Sequence, residues 1–223
     1  MRTAPDDVRP FADRREAGRE LARRLESYAG RGDVVVLALP RGGVPVGFEV
    51  ARGIDAQLDV FLVRKLGVPG HRELAMGALA SGGVRVLDEG LIHHLGIPAE
   101  AVDAITREEQ AELDRRESVY RDRAPTDVRN RVVILADDGL ATGSTMKAAV
   151  SAVRQREPSR IVVAAPVGSR EACRDLERLA DEVVCARVPR SFSAVGQWFR
   201  DFSQTTDEEV RELLQASDRE QRR

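Results

Sequence analysis

The fold is decided by the stretch Val132 to Met146, which reads VVILADDGLATGSTM. It opens with the apolar run Val132 to Ala136, which is typical of a strand buried on both faces of a parallel sheet. Asp137 and Asp138 come next, at the carboxyl end of that strand, where ligands bind in open α/β sheets. Small and hydroxyl residues then lead into a helix predicted over 144–155. The stretch therefore predicts a strand, a ligand-facing turn and a helix.

Apolar runs alternate with helical patterns over most of the chain. Further strands are predicted at 34–39, 58–63, 84–87, 161–167 and 182–188. Further helices are predicted at 13–29, 44–53, 99–123, 170–179 and 207–216. Because strands that alternate with helices are joined by right-handed crossovers, the pattern predicts an α/β fold with a mainly parallel sheet flanked by helices.

Composition limits the class of protein. With 223 residues, 42% of them apolar and only 4% aromatic, the chain fits a single domain, 1–223, with a mainly aliphatic core. A formal charge of −2 gives no net electrostatic reason to bind nucleic acid or an anionic membrane. No run approaches the roughly 20 apolar residues that span a bilayer, and residues 1–10 are unlike a signal peptide. We expect a cytoplasmic protein with no nucleic-acid partner and no membrane partner.

The turn after Ala136 has the composition of a binding site for a ribose 5-phosphate group. Amides at a helix start, with hydroxyl side chains beside them, can surround one phosphate. The carboxylates of Asp137 and Asp138 can accept hydrogen bonds from a diol. Taken singly, these features also fit an ordinary turn and a helix cap, but their combination after a buried strand favours the site. A nucleoside triphosphate loop fits less well, since the required Gly-Lys-Ser/Thr is missing.

This segment resembles the phosphoribosyl diphosphate signature of the type I phosphoribosyltransferases. The whole chain is similar to bacterial phosphoribosyltransferase-like proteins of undefined substrate, a few of which are fused to hydrolase domains. The resemblance implies the type I fold, with a helical insertion and a small hood, and implies that Asp137 and Asp138 hold the ribose hydroxyls. It also implies that the 5-phosphate is held by the loop residues Ala141, Thr142, Gly143, Ser144 and Thr145.

A second loop, 39–43, ends the strand at 34–39 and opens the next helix. Its amides and the Arg41 guanidinium could hold another anion, although Arg-Gly-Gly is also common in ordinary turns. In the family this position carries the pyrophosphate loop, so the resemblance implies that Arg41, Gly42 and Gly43 bind pyrophosphate.

Lys65 is a second candidate for the pyrophosphate side, because it follows the strand predicted at 58–63 at the same sheet edge. It is one of only two lysines among the 35 Lys and Arg residues, which suggests that a compact ammonium matters there. Arg41 and Lys65 are therefore candidate catalytic cations. Mg²⁺ is expected as the cofactor, carried by the substrate rather than by a dedicated protein site.

Residues 66–130 interrupt the alternation and look like a mobile loop with a helical insertion. The first part, 66–83, has the glycine content of a lid that excludes water from a reactive intermediate, and related transferases carry a flexible loop here. Within it, His71 is a candidate pyrophosphate donor or general acid, and Glu73 a candidate base. A solvated surface loop with incidental His and Glu stays open as the alternative.

Two parts of the sequence bear on the identity of the acceptor: the loop after Asp138 and the end of the chain. Ala141 stands where 6-oxopurine transferases usually carry an Asp, whereas the segment is more similar to the adenine transferase version, in which a loop acid such as Glu73 manages the base proton. Residues 189–204 resemble the purine hood, where an aromatic ring stacks on the base. These aromatics could instead close the core beside the last helix. The base-binding candidates are Phe192, Val195 and Trp198.

We infer an enzyme that transfers a phosphoribosyl group from phosphoribosyl diphosphate to a nitrogenous base, with a purine-like base favoured, and releases pyrophosphate. Retention of Arg41, Lys65 and a candidate lid supports this interpretation. Two alternatives stay open: a non-catalytic regulator that senses phosphoribosyl diphosphate, and a transferase with a non-purine acceptor. Because type I transferases are often dimers, the resemblance also makes a homodimer possible.

Overall fold

A computed structural model describes residues 9–120 and 124–221, with only the backbone of Arg72 and Glu73. The strands are β1 (Val34–Ala38), β2 (Gln57–Val60), β3 (Val63–Val68), β4 (His71–Ala80), β5 (Val84–Leu87), β6 (Val132–Ala136), β7 (Arg160–Val167) and β8 (Glu182–Arg187). The helices are α1 (Arg14–Arg24), α2 (Gly43–Ile54), α3 (Glu89–His94), α4 (Ala99–Tyr120), α5 (Ser144–Arg154), α6 (Arg170–Leu176) and α7 (Asp207–Gln221). Short 3₁₀ helices lie at Glu26–Tyr28 and Val195–Trp198.

Five strands form one parallel sheet in the order β2-β1-β6-β7-β8. Successive side chains of each central strand enter opposite cores, because Cβ atoms alternate across a strand. Val36 and Ile134 pack with α1, α2 and α7, whereas Val35 and Val133 pack with α5 and α6. Burial on both faces explains why β1 and β6 are continuous apolar runs. The predicted α/β fold with a mainly parallel sheet is confirmed.

Residues 66–83, predicted as a glycine-rich lid loop, lie mostly in strands. β3, β4 and β5 form a separate antiparallel sheet in that order, with Leu66 and Met76 fully buried. The loop assignment is therefore wrong for the backbone. Gly70 and Gly82 adopt positive φ angles of 78° and 81° in the turns between these strands. Much of the glycine content is therefore explained by the hairpin turns, which need residues that tolerate positive φ. Closure of this segment over a ligand stays a prediction.

Helix α4 carries the charged part of the insertion and packs on β3, β4 and α7. Only three of its 22 residues are buried. Polar contacts complete the attachment: Nε of Arg64 on β3 donates to Glu109 at 2.7 Å, and the hydroxyl of Tyr120 donates to Asp207 of α7 at 2.6 Å. Within the described residues no helix, α4 included, is long and apolar enough to cross a membrane.

Candidate active site

Two adjacent carboxylates, Asp137 and Asp138, lie at the carboxyl end of β6. The backbone amide of Asp138 donates to Oδ1 of Asp137 at 2.8 Å, which holds the first carboxylate against the strand end. Burial and the neighbouring charge of Asp138 raise the pKa of Asp137 well above its ordinary value. Burial also raises the pKa of Asp138, while hydrogen bonding to Arg14 opposes that rise. The pair is a concentrated negative charge that hydrogen-bond donors would stabilise.

The loop that opens α2 packs directly against this acidic pair. A Cβ at Gly42 would collide with Oδ2 of Asp138, and one at Gly43 would lie 2.7 Å from the carbonyl oxygen of Ala136. Because no side chain fits, only glycine allows the start of α2 to approach the end of β6 this closely. The carboxylates and the amides at the start of a helix therefore share one site.

Residues 141–145 join the acidic pair to helix α5 at the same sheet edge. Gly143 is buried as the N-cap and has no side chain to accept hydrogen bonds from the first-turn amides. The hydroxyl of Thr142 donates to Oγ of Ser144 at 3.1 Å and accepts from the Ser144 amide at 3.3 Å. The remaining loop residues are exposed: Ala141, Thr142, Ser144 and Thr145. The loop thus presents hydroxyls and helix-start amides, the groups that bind a phosphate.

Lys65 reaches this phosphate loop from the antiparallel sheet. Its Nζ donates to Oγ of Ser144 at 2.7 Å. The sequence predicted Lys65 after a strand at 58–63 and on the pyrophosphate side. In the structure that strand ends at Val60 and Lys65 lies within β3, so its ammonium meets the predicted 5-phosphate loop instead.

Arg41 lies just before α2, with 38% of its side chain exposed, and its peptide bond with Pro40 is cis. The guanidinium is 3.9 Å from Oδ1 of Asp207, the first residue of α7. Tyr120 donates to the same carboxylate, and burial together with this bond raises the pKa of Tyr120 to about 12. A long and exposed ion pair is weak, so it would yield to an anion at the nearby helix-start amides.

Of the two predicted lid residues, the structure describes the side chain of only one. His71 is the exposed first residue of β4 and pairs with Val68 at the end of the hairpin. The backbone of Glu73 also lies in β4, but its side chain is outside the described residues. Catalytic roles for His71 and Glu73 stay predictions.

In the predicted hood, 189–204, one candidate touches the loop of the acidic pair. A Cβ at Gly139 would lie 2.5 Å from Cγ1 of Val195, so the valine side chain rests on the backbone directly after Asp138. Val195 begins the 3₁₀ helix Val195–Trp198. The predicted hood therefore contacts the loop after the acidic pair through a small apolar side chain.

The two aromatic candidates of the hood lie elsewhere. Trp198 lines a separate cleft with Arg187 and Pro189. Phe192 packs, partly buried, on the apolar cluster that includes Phe199. These positions fit the alternative interpretation, in which the aromatics help to close the core, and stacking of either ring on a base stays a prediction.

Two residues at the site were not predicted from the sequence. From α1, Nε of Arg14 donates to Oδ2 of Asp138 at 2.8 Å, across 124 residues of sequence. Oγ of Ser169, the N-cap of α6, donates to the carbonyl oxygen of Ala141 at 2.7 Å and anchors the phosphate loop. Nothing distinguishes Arg14 from the other arginines of its predicted helix, because its partner is distant in sequence. Ser169 carried a local signal, since serine before a helix is a common cap.

The described side chains form no site built for a metal ion. Leaving aside Arg72 and Glu73, the side chains of 9–120 and 124–221 contain no group of three His, Cys, Asp or Glu arranged to hold a metal ion.

An acidic pair flanked by two loops that open helices, at the carboxyl edge of a parallel sheet covered on both faces, defines a class of α/β proteins suited to sugar phosphates. The family model that matches is the phosphoribosyl transferase domain, over residues 12–198. The chain belongs to this family.

Similar proteins agree with the family. Two Mycobacterium tuberculosis proteins, each provisionally named a phosphoribosyl transferase, are 46% identical over 213 residues, which cover 94% of this chain and 47% of theirs. The chain thus spans about half the length of the curated relatives it matches. The crystal structure of TT1426 from Thermus thermophilus has a TM-score of 0.84 at 44% identity, covering 93% of this chain and 98% of that one.

Proposed function

We propose that the protein transfers a 5-phosphoribosyl group from phosphoribosyl diphosphate to a nitrogenous base and releases pyrophosphate. The observation that carries this proposal is the contact between Gly42 and Asp138. Through it, a loop suited to the diphosphate meets carboxylates suited to the ribose hydroxyls at one point of the sheet edge. The loop 141–145, suited to the 5-phosphate, follows directly along the chain.

Each part of the donor has a chemical counterpart in the site. The ribose hydroxyls would donate to Asp137 and Asp138, because hydrogen bonds to carboxylates are stronger than those to neutral acceptors. The 5-phosphate would accept from the first amides of α5 and from the hydroxyls of Thr142 and Ser144, next to the ammonium of Lys65. Lys65 is thus proposed as a phosphate contact.

In the proposed reaction the bond between ribose C1 and the diphosphate oxygen breaks, a bond from C1 to a base nitrogen forms, and the base loses a proton. The sugar passes through an oxocarbenium-like state. Arg41 and the amides of Gly42 and Gly43 would stabilise the charge on the leaving pyrophosphate. Magnesium carried by the diphosphate supplies further positive charge there. His71 and Glu73 are the proposed acid and base on the lid.

A purine-like acceptor is the favoured class. Ala141 leaves the loop without the carboxylate that 6-oxopurine transferases usually carry at this position. Among purines, this makes the loop more similar to the adenine transferase version than to the 6-oxopurine version. Val195 places an apolar side chain against the backbone of Gly139, beside the acidic pair, where a flat base could pack. A screen of bases would distinguish a purine from a non-purine acceptor.

Calorimetric titration with phosphoribosyl diphosphate and Mg²⁺ tests the donor site, and Asp138→Asn tests its position. We expect micromolar binding by the natural chain and weaker binding by the variant. Asp33→Asn is the matched control, since Asp33 is an exposed aspartate just before β1, at the opposite edge of the sheet. A natural chain that binds no donor would overturn the proposal.

The reaction is tested by pyrophosphate release with a panel of purine and non-purine bases. Release with one class of base identifies the acceptor. Donor binding without release for any base would contradict the transferase and favour the sensing regulator.

A further inference from the structure

Arg14 lies between the acidic pair and the hood, and three contacts of different kinds hold its guanidinium. Its Nε donates to Oδ2 of Asp138 at 2.8 Å, and a terminal nitrogen donates to the carbonyl oxygen of Ser203 at 2.7 Å. Its Cζ lies 3.9 Å from the centroid of the Phe202 ring, within range of a cation–π interaction. With 11% of the side chain exposed, the guanidinium is largely confined to one orientation.

The partner of Arg14 is equally confined. Oδ2 of Asp138 lies against Gly42, where an added methyl group would collide with it. Asp138 is therefore clamped between the start of α2 and the guanidinium from α1. None of the other described residues donates a hydrogen bond to Oδ1 of Asp138, and 16% of this side chain is exposed, so Oδ1 is the oxygen left for a ligand to hydrogen-bond.

The charged groups around this carboxylate are few. Of the described residues, Asp137 of β6 and Arg14 of α1 interact with Asp138 electrostatically. The start of α2 and the hood approach it through Gly42 and through Val195 on Gly139, which carry no charge. Four more charged residues line the cleft on the other side of Arg14: Asp13, Arg15, Asp201 and Glu209.

Two neighbouring carboxylates at a desolvated edge repel one another, and without a cation one of them tends to keep a proton. A protonated Asp138 would lose the charge that makes it a strong acceptor for a hydroxyl. The hydrogen bond and the charge of Arg14 lower the pKa of Asp138 against the effect of burial.

We propose that Arg14 is a positioning residue of the ribose site, which keeps the Asp138 carboxylate charged and oriented toward the ribose hydroxyls of the donor. The inference rests on the proposed function for the identity of the ligand. Arg14 acts through Asp138 and touches no reacting atom. The hood in turn positions Arg14, because Phe202, which holds the guanidinium, stacks on Phe199 with ring centroids 5.0 Å apart.

The test measures the affinity for phosphoribosyl diphosphate with Mg²⁺ as a function of pH for Arg14→Gln, which keeps a donor and removes the charge. Without the cation the pKa of Asp138 rises, so the neutral form persists to higher pH. We expect affinity to fall about tenfold or more at the low end of the pH series and to return toward the natural value as the pH rises. Titration of the donor's own phosphates cancels, because every variant is compared with the natural chain at the same pH.

Two further variants separate charge from fold. Arg14→Lys keeps the cation, and we expect it to keep the natural pH profile. Arg19→Gln is the matched control, since Arg19 lies on the same helix and pairs with a carboxylate, Glu49, at 3.5 Å outside the site. We expect it to bind the donor like the natural chain at every pH. A loss in Arg14→Gln that is equal at all pH values, or no loss at all, would overturn the proposal.

A second measurement does not depend on the donor. Carboxyl ¹³C NMR titration, with the Asp138 signal assigned through Asp138→Asn, should show a higher midpoint for Asp138 in Arg14→Gln than in the natural chain. Equal midpoints would contradict the role of Arg14. If the natural chain binds no donor, the proposed function fails, and this titration still decides whether Arg14 holds Asp138 charged.

Discussion

The carboxyl edge of the parallel sheet and the antiparallel insertion are built by different means. At the sheet edge the start of α2 packs tightly on the end of β6, with Gly43 against the carbonyl oxygen of Ala136 and Gly42 against the carboxylate of Asp138. The insertion shares its apolar side chains with the cores of the parallel sheet, and it reaches the edge itself through the hydrogen bond from Lys65 to Ser144. Close-packed backbone holds a fixed geometry, whereas hydrogen bonds of exposed side chains exchange readily with water. We therefore expect the edge to keep its geometry, and the hydrogen bond of Lys65 to be the contact that is exchanged if the insertion closes.

The largest effect should come from filling the contact between α2 and β6. In Gly42→Ala the new methyl group collides with Oδ2 of Asp138 and displaces the carboxylate. We expect calorimetry to detect no donor binding, and the free energy of unfolding to fall by about 1–3 kcal/mol. Gly32→Ala is the control, because no atom lies within 4 Å of the added carbon there. Normal donor binding by Gly42→Ala would mean that the sheet edge is not rigid.

Removing one charge from the acidic pair should have the next largest effect. Asp137→Asn replaces a charged acceptor for a ribose hydroxyl by a neutral one, so donor binding should weaken by about 1.5–3 kcal/mol in calorimetry. An affinity equal to that of the natural chain in both Asp137→Asn and Asp138→Asn would show that the ribose hydroxyls do not bind at this edge.

The same variant should change how stability depends on pH. Because the pKa of Asp137 is raised in the folded state, the folded chain holds a proton that the unfolded chain has already released. The free energy of unfolding therefore falls as pH rises from the ordinary pKa of 3.8 to the raised value, and Asp137→Asn should abolish that fall. Chemical denaturation at a series of pH values measures it, and parallel curves for the two proteins would contradict it.

A smaller effect is expected from cutting the contact between the insertion and the phosphate loop. Lys65→Met removes the ammonium from Ser144, so donor affinity should drop about tenfold, while the free energy of unfolding changes by less than about 1 kcal/mol. The other lysine is the control: Lys147 pairs with Asp175 of α6 at 2.5 Å, and Lys147→Met should bind the donor normally. Equal losses in the two variants would show that Lys65 has no particular role at the phosphate.

The smallest effect is expected where α4 meets α7. Tyr120→Phe removes the hydrogen bond to Asp207, which should lower the free energy of unfolding by about 1 kcal/mol and leave donor affinity unchanged. The pKa of Tyr120 is raised from 10.0 to about 12 in the folded chain. Between these two pH values the unfolded chain releases the phenol proton while the folded chain keeps it, so the free energy of unfolding of the natural chain falls as the pH rises. Denaturation curves at alkaline pH should show that Tyr120→Phe lacks this additional loss. A weaker donor affinity would mean that this contact reaches the site.

Local patterns predicted the parallel sheet well because its strands leave a strong signal. A strand covered on both faces is an uninterrupted apolar run, as in Val132 to Ala136, and the loop after it carries its chemistry in consecutive residues. The insertion was harder to predict. The segment 66–83 has glycines in its turns and short apolar strands between them, and the same composition also fits a loop.

The sequence by itself determined the layered α/β fold and the acidic pair followed by a turn of small and hydroxyl residues, because each of these features is encoded by residues that are neighbours in the chain. Tertiary structure alone decided that Gly42 lies on Asp138, that Lys65 meets Ser144, and that Arg14 holds the acidic pair. These contacts join residues that are far apart in the chain. Which of many arginines meets a carboxylate depends on how the helices pack on the sheet, and no local pattern encodes that packing.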